Sequence, residues 1–313
     1  MKRGSAAGPA PGRSQAGPRQ PRDAAGTPAV QARAGGLGAA AYVPLGGPTD
    51  APVGRGATAK PLSAYVLHQY DWSESSLILD LFTRERGRLA VAAKGAKRPY
   101  SQLRGVLLPF QRLQVTLSRG SDDANAEVHT LRAAEWAGGA PMPAGGALFS
   151  GFYLNELLLR LLARQDPHAA LFDAYAQVLP ALALADEAQS QAALRAFELI
   201  LLRETGQLPE LNCVTQTLQP VRAEAAYALR PDSGIVPAAA DDAGLVGARL
   251  VALQAALDHG SVAALQAECT LALPALRASL RTLLQYHLGS PTLRTRQLMA
   301  DVRKLLAPGA PSR

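Results

Sequence analysis

Residues 64–98, AYVLHQYDWSESSLILDLFTRERGRLAVAAKGAKR, carry the strongest strand signal in this chain. In SAYVLHQYDW, residues 63–72, apolar and polar side chains alternate, as they do in a strand with one buried face. SSLILDLFTRERGRLAVAAKGA, residues 75–96, predicts two further strands around a turn that Gly87 closes. Three short strands joined by tight turns indicate an antiparallel sheet.

Two more strands are predicted downstream. LPFQRLQVTLSRG, residues 108–120, is the fourth, and AEVHTLRAAEW, residues 126–136, is the fifth. The turn-forming cluster SRGSDDANA separates them. Five short strands in about 75 residues are typical of a small closed barrel of the oligonucleotide-binding (OB) type. We assign residues 62–140 to this barrel.

The pattern changes from strand to helix after the linker GGAPMPAGG. Apolar residues dominate ALFSGFYLNELLLRLLAR, and Glu156, Arg160 and Arg164 recur four apart on one narrow polar stripe, so we expect a nearly buried helix. Further helices are predicted at residues 168–185, 190–206, 247–260, 261–289 with a bend near Pro274, and 295–306. The fold class is therefore α+β, an N-terminal five-stranded antiparallel OB-fold barrel followed by a mainly α-helical domain over residues 141–313.

Residues 1–61 differ in composition from the rest of the chain. They are rich in Ala, Gly and Pro, and residues 1–60 hold eight Lys or Arg against two acids, which accounts for most of the net charge of +7. Such a segment cannot bury enough apolar surface to offset its ordering entropy, so we predict disorder. We favour a dispensable extension over a basic arm that contacts phosphates. The many Pro and Gly residues oppose the amphipathic helix of a transit peptide.

The sequence also disfavours several classes of protein. No run approaches the ~20 apolar residues that span a bilayer, and the start lacks the apolar core of a secretory signal, so we expect a cytoplasmic protein without membrane contacts. Cys213 and Cys269 are far apart and form neither a disulfide framework nor a metal-ligand pair. No phosphate-binding loop, zinc-protease motif or nucleophile elbow occurs. We therefore predict neither catalysis nor a cofactor.

A basic loop joins the third and fourth predicted strands. KGAKRPYSQLRG, residues 94–105, contains four cations, one aromatic residue and no acid. Single strands are held by cations that follow the phosphates and by rings that stack on bases. We expect the basic residues that flank the turn at Gly87 to emerge at an end of the barrel and add to this surface. The predicted nucleic-acid-binding residues are Arg84, Arg86, Arg88, Lys94, Lys97, Arg98, Tyr100 and Arg104.

The other aromatic residues of the barrel have less definite predicted roles. Tyr65, Tyr70 and Phe82 are assigned to the core or its rim. Trp72, just before a turn, either packs as a lid on the end of the barrel or contacts a base. Tyr100 either stacks on a base or packs on the barrel.

Six segments carry a resemblance to a known family. They are residues 64–98, LRGVLLPFQ, TLRAAE, SGFYLNELLLRLL, LRAFELILLRETG and LQYHLGSPTLRTRQL. Over residues 62–306 the chain resembles the RecO family of bacterial recombination mediators. The most specific combination is a strand ending in W-S-E-[ST] followed by a Y-x-N-E-L-L helix. The resemblance implies an OB barrel with a helical domain behind it, which the periodicities indicate independently.

The resemblance also implies a function and partners. RecO proteins act in DNA repair and recombination: they bind single- and double-stranded DNA and anneal complementary strands. With RecR they help load RecA onto DNA coated by the single-strand-binding protein, whose C-terminal tail they contact. Membership would place this chain in the cytoplasm, at the nucleoid. The alternatives are a generic RNA-binding OB-fold protein and an adaptor that only docks other proteins.

One departure from the family concerns the irregular stretch at about residues 207–247. Some members carry four cysteines there as a zinc finger, whereas here Cys213 stands alone and Cys269 lies elsewhere. No metal is implied. We expect this insertion to fold through its apolar residues and a hairpin turning at PDSG, residues 231–234, with Cys213 as a small buried side chain.

The helical domain is implied to hold the tail of the single-strand-binding protein. Such a peptide requires an apolar pocket with a cation for its terminal carboxylate. In LRAFELILL, Arg195 lies one turn from Glu198 and beside an apolar face. The predicted peptide-binding residues are Arg195, Leu194, Phe197 and Leu201. The alternative is an ordinary surface arginine paired with Glu198 or Asp186.

Overall fold

A computed structural model of the chain describes residues 60–118, 126–184, 186–242, 244–289 and 293–306. The tail predicted at residues 1–61 therefore lies almost entirely outside the described residues. Five strands close into a barrel with the order β1-β2-β3-β5-β4. The pairs are antiparallel except β3 and β5, where Val91 faces His129 in parallel. The strands are β1 Leu62–Asp71, β2 Leu77–Thr83, β3 Gly87–Ala93, β4 Leu113–Leu117 and β5 His129–Trp136.

The barrel confirms the predicted OB-type fold, and the alternation of its strands supplies two separate cores. Leu79 and Leu81 of β2 point into the barrel and are fully buried there. Phe82, on the opposite face of the same strand, packs instead with the aromatic residues of the helical domain. Successive side chains of a strand point to opposite faces, so one strand serves both cores.

Helices make up most of the remaining described chain. The predicted helix at residues 261–289 is two helices, because the chain breaks at Ala272 and Pro274 lies in the first turn of the second one, where a missing N–H costs nothing. No described helix is long and apolar enough to cross a membrane. The helices are α1 Leu103–Val106, α2 Gly146–Leu161, α3 Ala169–Leu182, α4 Glu187–Glu204, α5 Gly247–His259, α6 Val262–Leu271, α7 Leu273–His287 and α8 Arg294–Leu306.

The Y-x-N-E segment of α2 ties the barrel to the helical domain. The Asn155 side-chain amide donates to the Leu67 carbonyl of β1 at 3.0 Å, and its oxygen accepts from the Tyr175 hydroxyl of α3 at 2.5 Å. Glu156 receives the backbone amides of Arg294 and Thr295, each at 2.9 Å, so it caps the start of α8. These two neighbouring polar residues of a mostly apolar helix therefore fix different elements: Asn155 fixes β1 and α3, and Glu156 fixes α8.

A small second sheet lies in the insertion between α4 and α5. It has the order β7-β6-β8 and consists of β6 Ala226–Arg230, β7 Gly234–Pro237 and β8 Leu245–Val246. The hairpin turns at residues 231–234, as predicted. Thr215 holds β7, since its amide donates to the Ile235 carbonyl and its hydroxyl accepts from the Ile235 amide. Cys213 is only half-buried, so its prediction as a buried side chain is wrong: its loop crosses the surface, paired with Pro220.

Gly234 is expected to be more sensitive to substitution than a glycine of the same conformation in open space. A Cβ at Gly234 (φ +69°) would lie 2.2 Å from the Thr215 hydroxyl, whereas Gly260 (φ +72°) has open space around it. Left-handed strain costs about 1–2 kcal/mol at either position. We expect Gly234→Ala to lower the unfolding free energy by about 1 kcal/mol more than Gly260→Ala in urea denaturation. An equal loss of unfolding free energy in the two variants would contradict a steric role of the Thr215 contact.

Candidate nucleic-acid interface

The basic loop after β3 is folded against the loop between β1 and β2. The Lys97 ammonium donates to the Ser73 carbonyl at 3.0 Å and pairs with Asp71 at 2.9 Å. The Lys97 backbone amide donates to the Ser75 carbonyl at 2.9 Å. Lys97 therefore serves to hold the two loops together, and both its charge and its backbone take part.

These two loops form a shallow depression at one end of the barrel. Trp72, Lys94 and Arg98 line it, with serines of the β1–β2 loop between them. Tyr100 is 98% exposed, so its ring does not pack on the barrel, and Trp72 is 56% exposed, so more than half of its surface is accessible. Trp72, for which the sequence leaves two roles open, thus has a ring available at the surface. We call Trp72, Lys94, Lys97, Arg98, Tyr100 and Arg104 the loop surface.

Arg104 continues the loop surface away from the depression. It is exposed on the short helix α1. A series of turn hydrogen bonds links the Arg98 carbonyl to the Ser101 amide and the Ser101 carbonyl to the Arg104 amide. Leu107 beyond it is buried in the barrel core. The cations of the loop are therefore carried on a turn-rich backbone that is anchored at both ends.

The three arginines near Gly87 do not join this surface. They lie at the start of β3, and the seven residues of that strand separate them from Lys94 by roughly 20 Å. Arg84 forms a bidentate pair with Asp173 of α3, and Arg86 is half-buried in the same turn.

The prediction that Arg88 binds nucleic acid is the one that the structure contradicts most clearly. It pairs with the buried Asp80 at 3.2 Å and donates to the carbonyls of Leu159 and Leu162. The prediction of one continuous cluster fails because the end of α2 packs over this part of the sheet. Arg84 and Arg88 are occupied by contacts between barrel and helices.

Of the three aromatic residues predicted to lie in the core or at the rim of the barrel, two are buried and one lies at the rim. Tyr65 and Phe82 are buried against Phe172 of α3. Tyr70 lies at the rim and is 46% exposed.

The predicted peptide-binding residues of α4 are mostly buried. Phe197 and Leu201 have no exposed surface and belong to the helical core. Arg195 is 4% exposed and pairs with the fully buried Glu198 at 2.6 Å. Asp186 is not its partner, since it caps the start of α4 instead. The correction has a simple cause: α4 is surrounded by α3, α6 and α7, so its apolar face cannot also be a surface groove.

A cavity of about 230 Å³ nevertheless opens beside Arg195. Leu194 and Arg195 reach it from α4, and arginines of α7 and α8 surround it. The Nε atom of Arg195 has no hydrogen-bond partner. Four guanidinium groups thus lie around one small space, and one of them, that of Arg195, is paired with Glu198. The cationic lining of the cavity is Arg195, Arg277, Arg281 and Arg296. We call it the arginine cavity.

Three of these arginines are absent from the sequence prediction. Arg277 and Arg281 are spaced i,i+4 and so share one face of α7, a signal that was available in the sequence. Arg296 is held in place by Tyr153, whose hydroxyl accepts from it at 3.2 Å and whose ring lies 5.1 Å below its guanidinium. Burial raises the pKa of Tyr153, and the neighbouring Glu198 raises it further, so this phenol stays protonated.

Two family models match the chain and together span nearly all of the described residues. "Recombination protein O N terminal" covers residues 61–139, which is the barrel, and "Recombination protein O C terminal" covers residues 143–297. The chain belongs to the RecO family. In this RecO-family chain the boundary between the two matches lies at the linker that precedes α2.

Curated relatives agree with the family models. The chain is 55% identical over 253 residues to the "DNA repair protein RecO" of Acidovorax ebreus, covering 77% of this chain and 96% of the relative. It is 56% identical over 252 residues to that of Variovorax paradoxus, with the same two shares. The protein of the same name from Delftia acidovorans is 53% identical over 257 residues, with 80% and 100% covered. Their common name designates DNA repair and no catalytic activity.

The attachment of α8 is expected to depend on pH through Glu156. Burial alone would raise the pKa of Glu156, but hydrogen bonds from Thr295 and Arg294, with Arg160 beside it, lower the pKa below its usual value. Because the pKa of Glu156 is lower when α8 is attached than in the unfolded chain, the ionised carboxylate stabilises the attachment fully above the ordinary glutamate pKa near 4.3. This stabilisation is lost as the pH falls through the pKa of Glu156 in the folded protein.

Glu156→Gln should mimic the acid state at neutral pH. We expect the amides of residues 294–306 to exchange with deuterium about fivefold faster, corresponding to about 1 kcal/mol. The matched control is Glu187→Gln, at an exposed first-turn position of α4. Unchanged exchange of α8 in the Glu156 variant would show that the carboxylate does not hold it.

Proposed function

We propose that this chain is a recombination mediator that grips single- and double-stranded DNA through the loop surface and anneals complementary strands. The observation that carries the proposal is the depression where Lys94 and Arg98 lie beside the exposed ring of Trp72. Proteins that bind single strands without sequence preference use cations to contact the phosphates and aromatic rings to stack on the bases. Contacts to phosphates carry no sequence information, so we expect little sequence preference.

The arginine cavity supports a second part of the proposal, contact with the C-terminal tail of the single-strand-binding protein. Guanidinium groups bind carboxylates through paired, charge-assisted hydrogen bonds, and Leu194, Tyr153 and Met299 supply apolar wall. The cavity is well suited to an acidic peptide that ends in an aromatic residue and a free carboxylate. Leu194 and Arg195 keep their proposed roles there, but Phe197 and Leu201 do not.

Partner recruitment completes the proposed role. Together with RecR, the protein would transfer RecA to single strands that the single-strand-binding protein covers, in the cytoplasm at the nucleoid. It would act by binding alone, without a catalytic step or a cofactor. The barrel would hold the nucleic acid while the helical domain holds the covering protein.

The test is annealing of complementary strands coated by the single-strand-binding protein. We expect Lys94→Ala/Arg98→Ala/Arg104→Ala to lose annealing of both coated and naked strands, and Arg277→Ala/Arg281→Ala to lose only that of coated strands. Arg277 and Arg281 are exposed, so their removal avoids the buried charge pair of Arg195. Wild-type annealing by the loop variant would contradict the DNA proposal and favour an adaptor. Stronger binding to RNA than to matched DNA would favour an RNA-binding barrel.

A further inference from the structure

A cleft of about 440 Å³ lies between the outer face of the barrel and helices α2 and α8. The barrel side is formed by His68 and Tyr70 of β1. The helical side is formed by Phe149 and Phe152 of α2 and Leu298 of α8. Exposed apolar groups gathered in one place, with polar residues around them, mark binding sites more often than chance. This cleft shares no lining residue with the arginine cavity or with the depression of the loop surface.

The rings in the cleft are held in fixed orientations while part of their surface stays accessible. His68 packs against the edge of Tyr70, with centroids 4.4 Å apart and an interplanar angle of 70°. Phe152 is fixed in the same manner by the buried Phe110, at 5.0 Å and 64°. Rings that are already positioned lose little freedom when a flat group stacks on them. The site is therefore prepared for planar, apolar groups.

The charges around the cleft favour an anionic ligand. Arg160 and Arg294 line it together with one acid, Glu156. That carboxylate is already engaged by Arg160 at 3.0 Å and by the amides at the start of α8. The pair of Arg160 with Glu156 is neutral as a whole, so the second arginine, Arg294, leaves the opening with a net positive charge. A ligand that combines planar apolar groups with negative charges fits this arrangement.

The cleft is also continuous with the loop surface along β1. His68 and Tyr70 are alternate residues of β1, about 6.6 Å apart along the strand, and Trp72 follows directly after the strand ends at Asp71. The first two line the cleft and the third lines the depression beside Lys94 and Arg98. The intervening Asp71 is turned toward Lys97 instead. We call His68, Tyr70 and Trp72 the aromatic track.

We propose that the aromatic track leads a single strand of DNA from the loop surface into the cleft, where unpaired bases stack on Tyr70 and Phe152. The proposal rests on the function proposed above, because the loop surface would supply the phosphate contacts at one end. Duplex DNA keeps its bases stacked and paired, so only a single strand can present them to these rings. The cleft would thus let the protein distinguish single strands from duplex.

The experiment compares binding of a labelled oligothymidylate and of a duplex by variants of the full chain. Tyr70→Leu keeps apolar bulk but removes the ring, and it should weaken single-strand binding about five- to hundredfold, the range for loss of one base stack. Tyr70→Phe should bind as wild type. Duplex affinity should be the same in all three proteins. The matched control is Tyr286→Leu, an exposed tyrosine of α7 that also packs on a neighbouring histidine.

A second readout uses the two tryptophans of the chain. With Trp136→Phe, the remaining Trp72 reports on the point where the loop surface meets the track, and its fluorescence should be quenched by oligothymidylate. Unchanged single-strand affinity in Tyr70→Leu, or an equal loss for duplex, would overturn the aromatic track while the loop surface stood. Absence of any DNA binding by the wild type would instead overturn the proposed function, and the track with it.

Discussion

Replacing Arg195 with alanine is expected to lower the free energy of unfolding by about 3–5 kcal/mol, the usual cost of leaving one member of a buried ion pair alone. Glu198 has no exposed surface and its Oε2 atom has no hydrogen-bond partner. Its remaining contact would be the Tyr153 hydroxyl, which donates to Oε1 at 2.6 Å. The measurement is the denaturation midpoint and slope in urea.

Two comparisons isolate the cause of that loss. Arg249→Ala removes a solvent-accessible, only partly buried pair with Glu268 and should cost about 1 kcal/mol or less. Arg195→Leu/Glu198→Leu removes both buried charges, so it should be clearly more stable than Arg195→Ala. A double variant that is no better than the single one would mean that packing, and not the unpaired carboxylate, sets the cost.

Neutralising the loop surface should produce the largest loss in DNA affinity. Each phosphate contact to a single strand contributes about 0.7 decades of affinity per decade of salt. At 0.1 M salt, the loss of three contacts in Lys94→Ala/Arg98→Ala/Arg104→Ala then corresponds to roughly 100-fold. Lys97 is left in place because it joins the two loops. Fluorescence anisotropy with a labelled single strand measures the effect.

The control for that variant removes the same charge elsewhere. Arg203→Ala/Arg222→Ala/Arg249→Ala deletes two exposed arginines and one half-buried arginine, Arg249, of the helical domain, so net charge falls equally. We expect less than a threefold change in affinity, because long-range attraction is screened at this salt concentration. Equal weakening by both triple variants would mean that net charge, and not the loop surface, attracts the DNA.

The barrel was predictable from sequence because its determinants are local. Alternating apolar residues set the strands, and Gly87 at φ +67° sets the turn. The hairpin at residues 231–234 is predictable for the same reason. The break at Ala272 was only partly predictable, since Pro274 is tolerated within the first turn of a helix as well as at a bend. Local chemistry therefore gave the elements but not every boundary.

The sites were predicted less well because exposure depends on what packs over each element. Arg88 belongs to a basic run in the sequence, yet α2 covers it and Asp80 neutralises it. Arg195 looked like a surface residue of an amphipathic helix, but α4 is surrounded by other helices. The arginine cavity draws Arg277 and Arg296 from elements some eighty or more residues beyond Arg195. Only the tertiary fold brings such residues together.

The most direct test of the central claim, that the loop surface holds DNA by its charges, is the slope of log affinity against log salt for a single strand. Lys97 is already paired with Asp71, so three phosphate contacts, from Lys94, Arg98 and Arg104, predict a slope of roughly −2 for the wild type. Removal of these three cations should leave the affinity almost independent of salt. Equal slopes for the wild type and Lys94→Ala/Arg98→Ala/Arg104→Ala would contradict the account.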